Sequence, residues 1–166
     1  MAVEYNQMRS RKALGLVVAV AVCEIAGAVG GVFTASSVTT WYLTLAKPAF
    51  TPPDWVFGPV WTTLYALMGI AAWLVWRSEA ARSVVTRALA IFALQLVLNV
   101  LWSVIFFGLR SPLWAFVEIV LLWFVILLTT VWFFRVSKAA GVLMLPYLLW
   151  VTFAVALNFD IARLNV

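Results

Sequence analysis

Apolar positions along this chain do not alternate, and they do not form narrow stripes. They fill five long runs separated by brief polar punctuation. The runs cover residues 13–35, 55–76, 87–107, 112–134 and 139–161, and Arg77 closes the second. A membrane-spanning helix needs about 20 apolar residues. The pattern therefore predicts an all-α membrane protein, a five-transmembrane-helix bundle forming a single membrane domain over 1–166. Local signals sharpen the boundaries. Gly108 reads as a left-handed helix stop, and Ser111 with Pro112 reads as an N-cap followed by proline at the first helical position. Residues 135–138 form a short basic turn. Pro146 lies inside the fifth run, where its missing N–H frees the carbonyl of Val142 and predicts a kink.

One connection is different. Residues 36–54 are long for a loop in such a compact chain, and their continuation into the second run is rich in prolines (Pro48, Pro52, Pro53, Pro59) and aromatics (Trp41, Tyr42, Phe50, Trp55, Phe57). Proline stiffens the backbone and removes donors. Tryptophan and tyrosine favour surfaces that are apolar on one side and wet on the other. The loop is expected to be an ordered cap over a membrane-embedded pocket.

Composition agrees with the pattern. The chain has 166 residues, 66% hydrophobic and 10% charged, against about 25% charged in soluble domains; its mean hydropathy is +1.10. A net charge of +5 on a soluble protein would raise nucleic acid as a partner. Here the bases sit at the ends of the runs and read as topology signals, with no nucleic acid implied. Arg9, Arg11, Lys12, Arg77, Arg82, Arg87, Arg135 and Lys138 fall on one side, and Lys47, Arg110 and Arg163 on the other. This asymmetry puts the N-terminus in the cytoplasm and the loop and C-terminus opposite. It favours a bacterial cytoplasmic membrane, with an outer membrane as the alternative. The bases before the first run and Ala19-Val20-Ala21 resemble a signal peptide. The run nevertheless continues to Phe33, and Val22 stands where a lipoprotein signal wants a small residue, so a retained first helix is expected. Cys23 is the single cysteine, which leaves no internal disulfide, and there is no histidine. No internal repeat of the kind found in secondary transporters is visible.

Intramembrane polar groups carry the chemistry. Glu24 lies near the middle of the first run and Glu118 about two turns into the fourth, where a charge costs about 2.5–3.5 kcal/mol on insertion scales. Each is either a polar anchor or proton site, or a carboxyl satisfied by a neighbouring donor. Gln95, Asn99, Trp102, Ser103 and Phe106 share one helical face in the third run. Trp61, Tyr65, Met68 and Ala72 do so in the second, Trp114 and Glu118 in the fourth, and Tyr147, Trp150, Ala154 and Asn158 in the fifth. These stripes read as interhelical glue and interfacial belts, or as walls of one deep aromatic pocket suited to a flat apolar ligand. Gly27-x-x-x-Gly31 and Ala26-x-x-x-Gly30 permit close helix contact, inside the bundle or between two copies.

The ordered motifs resemble those of the translocator proteins, also called tryptophan-rich sensory proteins or peripheral benzodiazepine receptors. They are Trp41-Tyr42, Lys47-Pro48, Thr51-Pro52-Pro53 and Trp55-Val56-Phe57-Gly58-Pro59-Val60-Trp61, then Leu64-Tyr65, Gln95-Leu96, Asn99, Trp102 and Ile105-Phe106-Phe107-Gly108. Pro146-Tyr147-Leu148, Trp150, Phe153-Ala154 and Leu157-Asn158-Phe159 complete the set. The resemblance covers nearly all of the chain after the first run. It implies a five-helix bundle, often a homodimer, with a central pocket beneath the first loop. Implied ligands are porphyrins and other tetrapyrroles, sterols, and synthetic isoquinoline carboxamides or benzodiazepines. Carried over by position, the ligand site would use Tyr42, Pro48, Trp61, Tyr65, Asn99, Trp102, Ser103, Trp114, Glu118, Trp150 and Ala154. Two departures stand out. Phe50 replaces a loop tryptophan and loses an N–H. The sterol-type pattern of Leu157, Phe159 and Arg163 has phenylalanine where tyrosine belongs, which counts against cholesterol as the native ligand. Glu24 has no counterpart role.

The expected function is a membrane receptor or sensor, with a possible carrier role, that binds tetrapyrroles in a stress response and requires no cofactor. Lacking histidine, the chain offers haem iron no usual axial ligand, so metal-free porphyrin is expected to bind at least as well as haem. The alternatives are a light- or oxygen-dependent porphyrin-degrading enzyme and a small proton-coupled exporter using Glu118. No Ser-His-Asp set, metal cluster or activated cysteine supports ordinary catalysis.

Overall fold

The computed structural model describes residues 2–165, with side chains from Lys12 onward. The topology argument from Arg9 and Arg11 lies outside the described side chains. Helix α1 spans Ala2–Val38 and is followed by one short turn of helix, α2 (Trp41–Thr44). Then come α3 (Asp54–Trp76), α4 (Arg82–Ser103), α5 (Pro112–Val136) and α6 (Lys138–Leu164). The segments Lys12–Val38, Asp54–Trp76, Arg82–Gly108, Pro112–Val136 and Lys138–Leu164 are long and apolar enough to cross a membrane. The chain is an integral membrane protein, a bundle of five long helices.

The helices form a ring in the order α1, α3, α6, α5, α4 and back to α1. Small residues set the closest approaches. A Cβ on Gly69 would lie 2.5 Å from the Cα of Val20, and one on Gly15 would lie 2.9 Å from the Trp76 ring. That brings α1 and α3 nearly backbone to backbone in the half of the bundle away from the loop. There Met68, Ala71, Val75, Ala88, Phe92, Ile126, Phe133 and Met144 fill the interior. Leu14, Val18, Ile25 and Val32 on α1, and Leu121, Phe124 and Leu128 on α5, face outward, as lipid contact requires.

Helix α4 does not stop cleanly. Val104–Gly108 continues it as a single π-helical turn. The wider turn shifts the helical phase, and the adjacent Phe106 and Phe107 are both buried. The predicted left-handed stop at Gly108 is corrected: the positive φ of 53° belongs to Arg110, and no described glycine has one. Gly108 serves close packing instead, since a Cβ there would lie 3.1 Å from Phe33. Ser111 does precede Pro112 at the start of α5, but its side chain makes no cap bond; its carbonyl accepts from the Ala115 N–H at 3.0 Å. Helix α6 runs through Pro146 without interruption.

The loop is pinned at its far end. The Ala46 N–H donates to Asn165 Oδ1 at 2.9 Å, and Asn165 Nδ2 donates back to the Ala46 carbonyl at 2.9 Å. Phe50 lays its ring edge-on against Phe153, with centroids 6.1 Å apart. Pro48 forms a turn whose carbonyl accepts both the N–H (3.0 Å) and the hydroxyl (2.7 Å) of Thr51. These contacts tie the first loop to the end of the last helix.

Candidate ligand-binding cavity

In the loop-side half, the bundle interior opens into a cavity of about 510 Å³. That lies within the range of pockets that enclose a drug-sized molecule, about 300–1,000 Å³. Its α3 wall carries Phe57, Trp61 and Tyr65; its α4 wall carries Asn99, Trp102 and Ser103. Phe106 and Phe107 of the π turn, and Trp150, Ala154, Leu157 and Asn158 of α6, close the far side. Tyr42 of α2 roofs it. The Tyr42 ring rests on Phe107 at 5.8 Å, and Lys47 Nζ stands 3.9 Å from its centroid on a cation–π contact. Burial, reinforced by Asp54, pushes its phenol up to about 12, so it stays protonated at neutral pH.

Polar atoms hold the rings in place. Tyr65 donates its hydroxyl to Asn99 Oδ1, and Asn99 Nδ2 donates to the Tyr147 oxygen at 2.7 Å. Tyr147 in turn donates to Gln95 Oε1 at 3.0 Å. This chain ties α3, α4 and α6 together beneath the cavity. On its far side Trp102 Nε1 donates to Asn158 Oδ1 at 2.9 Å, and Asn158 Nδ2 donates to the Pro112 carbonyl at 2.9 Å. Trp150 Nε1 is different: it is buried and has no acceptor. A buried N–H without a partner costs about 1–3 kcal/mol; the Trp150 side chain is part of the cavity lining.

The enclosure is lopsided. The exposed lining residues are Ala28, Gly31 and Ala35 on α1 and Asp54, Gly58 and Thr62 on α3. All six side chains are short. No neighbour lies within 4 Å of a Cβ placed on Gly31 or Gly58. The cavity therefore opens sideways, between α1 and α3, at a level where both helices present outward-facing apolar residues.

Among the sequence-predicted site residues, Tyr42, Trp61, Tyr65, Asn99, Trp102, Ser103, Trp150 and Ala154 come together around this one hollow. Three stand elsewhere. Pro48 shapes the loop turn and does not border the cavity. Trp114 is 67% exposed on the outer face of α5. Glu118 is buried on α5 with both oxygens unpartnered, also outside the lining. The reason is the ring order: α5 is held between α4 and α6, which supply the wall in front of it. Sequence reasoning missed the α1 wall, where Glu24, Gly27, Ala28, Gly31 and Ala35 line the cavity. Their i, i+3, i+4, i+7 spacing was visible, but small residues also mark plain helix contacts. Phe57, Phe107 and Leu157 belonged to the resemblance motifs but were not placed in the site, and Ile161 carried no signal beyond being apolar.

Five spans around an aromatic, laterally open hollow define a class: an integral membrane protein with a cavity inside its own bundle. The comparisons specify it further. Residues 19–164 match the TspO/MBR family, and the chain belongs to that family. It is 45% identical over 156 residues to the tryptophan-rich protein TspO of Chlorobaculum tepidum, covering 94% of this chain and 99% of that one. It is 49% identical over 139 residues to the tryptophan-rich protein TspO of Archaeoglobus fulgidus, covering 84% and 89%. The human translocator protein is 41% identical over 140 residues, covering 82% of each chain.

Proposed function

We propose that this protein is a membrane receptor that takes a flat, apolar ligand from the bilayer, with tetrapyrroles as the leading class, and holds it under the Tyr42 roof. The carrying observation is the cavity itself: rings from three long helices and the loop face one hollow. Stacking on Trp61, Trp102 and Trp150 supplies affinity. The gap between α1 and α3 supplies a route from the acyl chains. The basic residues described at the end of the bundle away from the loop, Lys12, Arg77, Arg82, Arg135 and Lys138, support a cytoplasmic location for that end.

Intrinsic tryptophan fluorescence tests the reading. Metal-free protoporphyrin is expected to quench the purified protein saturably, and at least as tightly as haem. The variants Trp61→Ala and Trp150→Ala are each expected to weaken binding at least tenfold. Quenching unaffected by both would remove the cavity from consideration.

A further inference from the structure

Several of the cavity's hydrogen-bonding groups are already engaged within the protein. Tyr65, Asn99, Trp102 and Asn158 spend donors on one another, on Tyr147 and on the backbone. Thr34 and Thr62 return theirs to the carbonyls of Gly30 and Gly58, one turn back. The lining's two carboxyls are those of Glu24 and Asp54, and the lining contains no lysine or arginine. Asp54 lies at the rim, in the first turn of α3. Glu24 is different in depth. It sits near the middle of the Lys12–Val38 span, one turn from Gly27, whose Cα faces the Tyr65 ring. Among the described residues its carboxyl has no hydrogen bond and no ion pair, and the hydroxyl of Tyr65, whose ring lies against Gly27, is already committed to Asn99.

A mid-membrane carboxyl is costly unless something pairs with it. Here the bundle provides the pocket and withholds the partner. Taking the cavity as the ligand site proposed above, we infer that Glu24 is its specificity-determining residue. It selects flat ligands that present a basic nitrogen or an N–H donor to the α1 wall, and it disfavours ligands that carry a carboxylate into the hollow. The geometry is consistent along the helix. Glu24, Gly27, Ala28, Gly31 and Ala35 lie on one face, so a ligand sliding inward through the α1–α3 gap meets small residues first and the carboxyl last. Glu24 then accepts from the ligand on the α1 wall, opposite the rings of α4 and α6.

Three porphyrin probes of one ring system test this: the free dicarboxylic acid, its dimethyl ester, and its bis-amide bearing two tertiary amines. Tryptophan quenching in detergent micelles reads the affinities. In the unaltered protein the amine derivative is expected to bind best and the diacid worst, with at least tenfold between them. In Glu24→Gln the amine derivative is expected to lose about tenfold while the ester changes less than twofold, which also shows that the variant is folded. A charge-assisted hydrogen bond is worth about 1.5–3 kcal/mol, enough for that change. If the unaltered protein binds the diacid as tightly as the amine, or if Glu24→Gln leaves the amine-to-ester ratio where it was, the selectivity assignment is overturned and the receptor reading stands. If none of the probes binds, both fall.

Discussion

Away from the loop, α1 and α3 touch almost backbone to backbone; toward the loop the same two helices stand apart. Glycine appears in both halves with opposite consequences. At Gly69 a Cβ would meet the Cα and N of Val20 at 2.5 and 2.9 Å, whereas at Gly31 and Gly58 it would meet nothing within 4 Å. Gly27, whose Cβ would strike the Tyr65 ring, marks the level where the gap begins. The rest of each half follows suit. The closed half is filled by interdigitating aliphatic and aromatic side chains around Met68, Ile126 and Phe133. The open half keeps its rings on the walls by hydrogen bonds, through Tyr65–Asn99–Tyr147 and Trp102–Asn158. Hydropathy alone does not distinguish the two. What separates them is whether the apolar side chains interlock or are held back by polar atoms.

The largest expected effect breaks the closed half. Gly69→Val pushes side-chain atoms into the backbone of α1, and neither helix can yield without losing contact along its length. Overpacking of this kind costs about 3 kcal/mol, and thermal unfolding in micelles should show a large drop in Tm. Gly31→Ala is the matching change in the open half. It meets no neighbour and removes a flexible residue from a helix, so it should be neutral or stabilising by about 0.5–1 kcal/mol. Equal losses at both positions would mean that the gap between α1 and α3 is not there.

Next in size is Tyr147→Phe, at the boundary between the halves. Tyr147 is 0% exposed. Its hydroxyl is acceptor for Asn99 and donor to Gln95, so its loss strands two buried polar groups at once. The expected cost is about 2 kcal/mol. Ligand affinity should fall as well, because Asn99 no longer fixes the Tyr65 ring on the cavity wall. A purely structural hydroxyl would lower Tm and leave affinity unchanged.

These contrasts explain what the sequence could and could not disclose. Helices were legible because each apolar run is long enough for only one structure in a membrane. Cavity residues on α3, α4 and α6 were legible because aromatic and amide side chains repeat at helical spacing, and buried Tyr, Trp and Asn need one another. Trp114 and Glu118 follow the same spacing yet lie outside the lining, since spacing fixes a face of a helix but not which neighbour it meets; that depends on the ring order of the bundle. The α1 wall was hidden for a related reason. A glycine at a tight contact and a glycine at an opening are the same letter. The π turn was hidden too: Val104–Gly108 carries no mark of it, and only the joint burial of Phe106 and Phe107 reveals its use.

A smaller effect separates ligand binding from stability in the open half. Trp150→Phe keeps a ring beside Phe57, whose centroid lies 5.9 Å from that of Trp150, and deletes the unpartnered N–H together with one ring of the indole. No protein hydrogen bond is lost, and relief of the unpartnered buried N–H offsets the lost ring packing, so stability should change little. Affinity for metal-free protoporphyrin should drop about fivefold, the worth of one hydrogen bond of about 1 kcal/mol. An unchanged affinity would mean that the ligand does not reach the α6 wall.

The smallest expected effect lies at the roof. Asn165→Ala removes the two bonds that staple Ala46 to the end of α6. Both are exposed, so global stability should change by less than about 0.5 kcal/mol. The roof is another matter. Tyr42 stays seated on Phe106 and Phe107, but the segment after it loses its anchor, and Phe50 keeps only its edge contact with Phe153. Stopped-flow recovery of tryptophan fluorescence should show porphyrin leaving faster, by about threefold or roughly 0.7 kcal/mol. If instead the off-rate is unmoved while Gly58→Leu slows both binding and release, ligand traffic runs entirely through the α1–α3 gap, and the proline-stiffened loop is a fixed wall.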